Sequence, residues 1–178
     1  MSTLQIGDQA PHFQLPGVDG HNGSLEEFAG RPLLVVIFSC NHCPYVQAYE
    51  DRMISIQRDY RAHGVQLVAI NSNDDANYPQ DSFDAMVQRA KDKAFNFPYL
   101  RDANQAVAKA YGATHTPQLF VFDHGRKLRY TGKIDDNWQN PAAVKKPYLR
   151  EALDALLKGA APAEAETHAI GCTIKWAG

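Results

Sequence analysis

Two cysteines, Cys40 and Cys43, stand with two residues between them in the stretch "FSCNHCPYVQAY", Phe38 to Tyr49, and His42 and Pro44 flank the second. Three chemistries suit such a pair: a reversible disulfide, half of a metal site, or a peroxide-reducing thiol beside a bystander. Cysteines at i and i+3 across the start of a helix occupy neighbouring positions, so their sulfurs can bridge with modest adjustment. The start of a helix also offers unpaired N–H groups and partial positive charge, which stabilise a thiolate and lower its pKa from about 8.5 toward neutrality. Cys40 is expected at the extreme end of the helix. It is therefore the expected nucleophile, with Cys43 as the resolving thiol. His42 beside a thiolate can add positive charge at or below neutral pH and make the couple more oxidising; otherwise it is a surface residue of the first turn. Cys172, the third cysteine, reads either as a third redox thiol able to pair with Cys40 or Cys43, or as a small buried hydrophobe.

The elements that must position these thiols follow from local patterning. "LLVVIF", Leu33 to Phe38, is a run of six apolar residues without alternation, as a strand buried on both faces of a sheet requires. Tyr45, Tyr49, Met53, Ile56 and Tyr60 recur at helical spacing, giving a helix of about four turns that Gly64 stops. "VQLVAI", Val65 to Ile70, and "LFVF", Leu119 to Phe122, read as further buried strands, and "DHGRK" as the turn into a more polar strand, "LRYTGKI". Asp81 or Ser82 can cap a helix carrying Phe83, Met86, Val87 and Ala90, and "ANQAVAKAYG" gives a shorter one. Pro147 opens a last helix with Leu149, Leu153, Leu156 and Leu157 on one face and Gly159 as its stop. Ahead of all this, the Gly- and Pro-rich opening suggests a small antiparallel ribbon, and Ser24 with Glu27 has capping-box spacing. The order fits a mixed sheet with helices on both faces, over residues 1-159. A tail, residues 160-178, begins with the linker-like "APAEAET" and carries Cys172.

Composition narrows the setting. Apolar residues make up 44% of the 178, charged residues 21%, and the formal net charge is -2. This is an ordinary globular balance with no basic footprint for nucleic acid or an anionic membrane surface. Six consecutive apolar residues fall far short of the roughly 20 that span a bilayer. The opening "MSTLQIGDQAPHF" shows no secretory signal, so a cytoplasmic location is expected, where paired thiols are more often catalytic or metal-binding than structural.

With these pieces in place the chain resembles the thioredoxin-like superfamily, and within it the branch whose fold carries the N-terminal extension of peroxiredoxins and membrane-anchored thiol oxidoreductases. The matching stretches are "GDQAPHFQLPGVDG", "SLEEFAGRPLLVVIF", the Cys40-Asn41-His42-Cys43 motif, "LRDANQAVAKAYGATHTPQLFVFD" and "LRYTGKID". The resemblance implies an α/β thioredoxin-like fold and a thiol–disulfide oxidoreductase acting on protein or small-molecule thiols and disulfides, with no bound organic cofactor. It implies that Pro117 is cis and that Thr116 presents backbone groups to a peptide added as a strand. His115 is expected as an exposed loop residue.

A peroxiredoxin-like thiol peroxidase with antioxidant activity is the alternative. Peroxiredoxins share "CP", Cys43-Pro44, but place Thr or Ser where Cys40 stands and Arg where Pro117 stands, and those groups polarise the peroxide. Thioredoxins in turn place Trp where Ser39 stands and a buried Asp near Leu34, so a carboxylate for proton transfer must be absent or supplied elsewhere. Asp135 and Asp136 are candidates, though a solvated acidic turn describes them as well. A Cu(I) or other metal module built on Cys40, Cys43 and one of His42, His115 or Cys172 falls short of the four ligands zinc takes, although two thiolates suffice for Cu(I).

Overall fold

The computed structural model describes residues 3–178. A short ribbon comes first, β1 (Gln14–Pro16) paired antiparallel with β2 (Asn22–Ser24). The Ser24 hydroxyl then accepts the Glu27 N–H at 3.3 Å, opening the expected helical turn at Glu26–Phe28. The central sheet contains β3 (Leu33–Ser39), β4 (Val65–Asn71), β5 (Tyr99–Arg101), β7 (Gln118–Phe122) and β8 (Leu128–Gly132), in the order β5-β4-β3-β7-β8. Strands β3, β4 and β5 run parallel, while β7 runs antiparallel to β3 and β8 to β7.

The unbroken apolar run of β3 is explained by two cores, one on each face of the sheet. Leu33, Val35 and Ile37 pack against Tyr49, Met53 and Ile56 of α1 (Pro44–Tyr60), Met86 of α2 (Phe83–Lys93) and Leu149 and Leu153 of α4 (Tyr148–Leu157). Leu34, Val36 and Phe38 pack on the other face against Phe13, Phe28 and the Val107, Ala108 and Tyr111 side chains of α3 (Ala106–Tyr111). Each fully buried side chain of this size contributes about 1.5–3 kcal/mol. Leu34 is therefore core, which leaves the thioredoxin carboxylate position apolar. Leu157, expected on the buried face of the last helix, is exposed at the helix end, while Leu149 and Leu153 are buried and Leu156 packs partly on the core.

Helix stops follow the expected chemistry. Gly64 and Gly112 adopt left-handed φ of 82° and 68°, and the Ser82 hydroxyl accepts the Ala85 N–H at 3.2 Å. At the β7–β8 turn it is Arg126, not Gly125, that takes positive φ, 61°. Its guanidinium compensates by donating to the carbonyls of Asp123, at 2.8 Å, and of Phe28 and Arg31. Two elements were not expected. Strand β5 has three residues, too short for a periodicity signal; it pairs with the end of β4 and is bridged on its other edge by Gly17. The tail residues Cys172–Thr173 form β9, which pairs antiparallel with β6 (His115–Thr116).

Candidate active site

The site lies at the carboxyl ends of β3 and β4, where Ser39 and Asn71 are register partners. Open α/β sheets present their loops, and so their chemistry, at that end. Helix α1 starts at Pro44, with Cys43 as its N-cap in an extended conformation, ψ 125°. This corrects the expectation that Cys40 occupies the helix terminus. A residue preceding proline is excluded sterically from the helical region, so the helix cannot begin before Pro44 and the cap falls to Cys43. Pro44 was itself the signal for this boundary.

Both thiols are enclosed, Cys40 at 2% and Cys43 at 0% exposure. Hydrogen bonding from Cys40 is the main influence that holds Cys43 down, at about 4. The Cys172 thiol and the first-turn Val46 N–H add to it against the opposing cost of burial. The same contact with Cys43, together with burial, pushes the Cys40 thiol well up. The contact therefore favours the thiolate on Cys43 over the thiolate on Cys40.

Thr116 faces both sulfurs. Its hydroxyl lies 3.4 Å from Cys40 Sγ and its carbonyl oxygen 3.6 Å from Cys43 Sγ, and the Thr116–Pro117 bond is cis, as the resemblance implied. Cys172 is half-buried with its Sγ 2.6 Å from Cys43 Sγ, and burial ahead of the neighbouring Cys43 pushes it up to about 11. His115 turns to the Thr114 hydroxyl, 2.8 Å from its Nδ1, and does not join the cluster.

A carboxylate does serve this loop, from a residue read in the sequence only as a helix cap. Asp81 is fully buried. Its Oδ1 accepts the Asn41 N–H at 2.7 Å and the Asn71 amide at 3.1 Å, its Oδ2 accepts the Asn73 amide at 3.0 Å, and His42 Nδ1 contacts Oδ2. The donor atoms of Cys40, His42 and Asp81 all fall within 4.8 Å of one another, making this the metal-ligating group of three among the described residues; its carboxylate oxygens are already taken up by the asparagines. His42 also stacks on Tyr78, with ring centroids 5.7 Å apart and planes 11° apart. Asn41 is pinned as well, accepting the Tyr99 hydroxyl at 2.8 Å and donating to the Gln80 carbonyl at 2.9 Å. The motif loop is thus held from the β4 side by Asp81. Nothing in the spacing of "NSNDDANYPQDS" identifies it except its place after the end of β4.

Asp135 is not part of the thiol site and is not a solvated turn either. It is buried and salt-bridged to Arg52 at 2.8 Å, and it accepts the Tyr49 hydroxyl at 2.8 Å, whereas Asp136 is exposed.

A buried dithiol at a helix N-cap, opposite a cis-proline loop on this sheet, defines a thioredoxin-like oxidoreductase. The chain belongs to the Redoxin family, which it matches over residues 5–147. Among solved structures, an uncharacterized conserved protein from Geobacillus kaustophilus is 42% identical with a TM-score of 0.93, covering 99% of this chain and 94% of that one. A hypothetical protein from Sinorhizobium meliloti is 39% identical, also at a TM-score of 0.93, covering 99% and 97%. The thiol-disulfide oxidoreductase ResA of Halalkalibacterium halodurans is 26% identical over 138 residues, 76% of this chain and 73% of that protein. No helix among the described residues is long and apolar enough to cross a membrane.

Proposed function

We propose that the protein exchanges electrons with protein or small-molecule thiols and disulfides through the Cys40/Cys43 couple. The observation that carries this reading is the pair of buried cysteines at the start of α1, with Cys43 as its N-cap and Thr116 of the Thr116–Pro117 loop within contact of both sulfurs. The roles of the two cysteines follow from the helix boundary. Cys43, not Cys40, receives the helix N-terminal field and is therefore the nucleophile in this reading. Cys43 attacks a substrate disulfide, forming a mixed disulfide and releasing one substrate thiolate. Cys40 then attacks Cys43 Sγ, closing the Cys40–Cys43 disulfide and releasing the second. A stabilised thiolate in the reduced form makes the disulfide form more oxidising. Asp81 lies beside Cys40 with His42 between its carboxylate and solvent; because its oxygens are occupied by the loop's amides, its part is to hold the motif loop in place for the closing step. The cytoplasm is our proposed setting.

The test is reduction of a peptide disulfide by the wild type and by variants retaining one motif cysteine, with Cys172 and the other motif cysteine replaced by serine. A mixed disulfide trapped on Cys43 supports these roles, one trapped on Cys40 reverses them, and a Cys43→Ser protein working at wild-type rate rejects the couple. Peroxide reduction is a second reading, favoured by the same low-pKa cysteine followed by proline. Against it, Arg101, the buried guanidinium nearest the loop in sequence order after α2, is spent on the carbonyls of Asn71, Asn73 and Asp81. Hydrogen peroxide consumption no faster than that of free cysteine disposes of it.

A further inference from the structure

The chain's own tail lies against the dithiol just described, with Cys172 beside Tyr45 and Val46 in the same cluster, and its docking is built rather than incidental. Ile174 is 3% exposed and packs into the core formed with Val107, Ala108 and Tyr111. Its N–H donates to the Thr114 carbonyl at 2.9 Å, the Lys175 N–H to Asn73 Oδ1 at 2.9 Å, and the Lys175 carbonyl accepts the Asp74 N–H at 2.7 Å. Upstream, the Thr167 hydroxyl accepts the Lys133 N–H at 2.9 Å.

Two glycines permit this close approach. A Cβ on Gly132 would meet Thr167 Oγ1 at 2.0 Å, and one on Gly171 would meet the Thr116 carbonyl oxygen at 2.0 Å. The strand pairing makes Cys172 the register partner of Thr116. This register delivers its sulfur to Cys43, 129 residues away in sequence, at 2.6 Å. Of the three cysteines only Cys172 is not fully buried.

We propose that Cys172 is a third catalytic thiol, which takes over the disulfide from the buried pair and presents it to an external thiol at the surface. The proposal rests on the Cys40/Cys43 reading and extends it. In the oxidised protein the Cys172 thiolate attacks Cys43 Sγ. A Cys43–Cys172 bond forms, the Cys40–Cys43 bond breaks, and Cys40 leaves as a thiolate that takes up a proton equivalent to the one Cys172 released; no electrons are gained or lost. An external thiolate, from a small-molecule or protein thiol, then attacks the half-buried Cys172 Sγ. A mixed disulfide with Cys172 forms and Cys43 departs as the thiolate that the helix N-terminus stabilises, which makes it the better leaving group of the two. A second external thiolate attacks the external sulfur, releasing the external disulfide and the Cys172 thiolate. Two external thiols are oxidised and one protein disulfide is reduced.

Disulfide mapping and reduction kinetics of the full-length chain test this. Cys40→Ser is expected to oxidise to a Cys43–Cys172 disulfide, and Cys172→Ser to Cys40–Cys43. Reduction of the oxidised protein by glutathione is expected to slow about tenfold or more in Cys172→Ser, because attack is then confined to buried sulfurs. Gly171→Ala keeps all three cysteines but drives a methyl group into the Thr116 carbonyl. It is expected to lose the Cys43–Cys172 linkage and to slow in the same way. The proposal is overturned if Cys172→Ser is reduced at the wild-type rate, or if Cys40→Ser yields no Cys43–Cys172 linkage. Those failures leave the couple intact, whereas wild-type exchange in Cys43→Ser removes the couple itself.

Discussion

Replacing Cys40 with alanine probes the Cys40–Cys43 contact most directly. The Cys40 thiol is the largest influence lowering Cys43, so its removal should return Cys43 from about 4 toward the ordinary thiol value of about 8.5. With Cys43 held at about 4, the wild-type residue is expected to be essentially all thiolate at pH 6. In the variant, at that limit, roughly one molecule in 300 is. A rate measured at one pH would hide this change. With a Brønsted coefficient of about 0.4–0.5, the more basic thiolate is about 100-fold more nucleophilic, leaving a net loss of only about threefold. The midpoint of the titration is therefore the quantity to measure, by the ultraviolet absorbance of the thiolate, which needs no reagent to reach a buried sulfur. The expected wild-type curve loses thiolate only as pH falls through about 4, and the variant curve loses it several pH units higher. A Cys40→Ala protein titrating like the wild type, or a wild type with no thiolate below pH 7, would refute the reasoning.

Other perturbations follow from the same packing. Asp81→Asn confronts the Asn41 N–H and two asparagine amides with a weaker acceptor that also carries its own donor. A loss of about 2 kcal/mol is expected, hence a Tm lower by about 4–8 °C, and calorimetry showing no change would remove Asp81 from its role in holding the loop. Arg52→Met leaves the Asp135 carboxylate buried without its partner, which should cost about 3 kcal/mol in urea unfolding. Ile174→Ala removes the tail's apolar anchor at a cost of about 2–4 kcal/mol to docking. Iodoacetamide should then alkylate Cys43 faster than in the wild type while global unfolding changes less, and unchanged alkylation would mean the tail does not cover the site.

Much of this architecture follows from the sequence because its causes are local. The apolar runs of β3, β4 and β7, the stripe on α1, the left-handed glycines at helix ends and the proline opposite the cysteines depend on a few adjacent residues, and the structure repeats them. The helix boundary was legible too, in Pro44, but the rule that moves the cap to Cys43 has to be weighed above the general picture of a helix starting at the motif. Strand β5 was not legible, since three residues carry no period and its place is decided by pairing with β4.

The rest belongs to tertiary structure alone. Asp81 reaches the motif because β4 lies parallel beside β3 and returns the chain to the same end of the sheet, 40 residues on from Asn41. Cys172 meets Cys43 because β9 pairs with β6 in one register, held by a buried Ile174 and by two glycines that let backbones touch. Sequence spacing determines which residues can do thiol chemistry. Long-range pairing decides which sulfurs are buried and which third thiol joins them, because burial and the Cys172 contact are set by neighbours that the chain brings together only on folding.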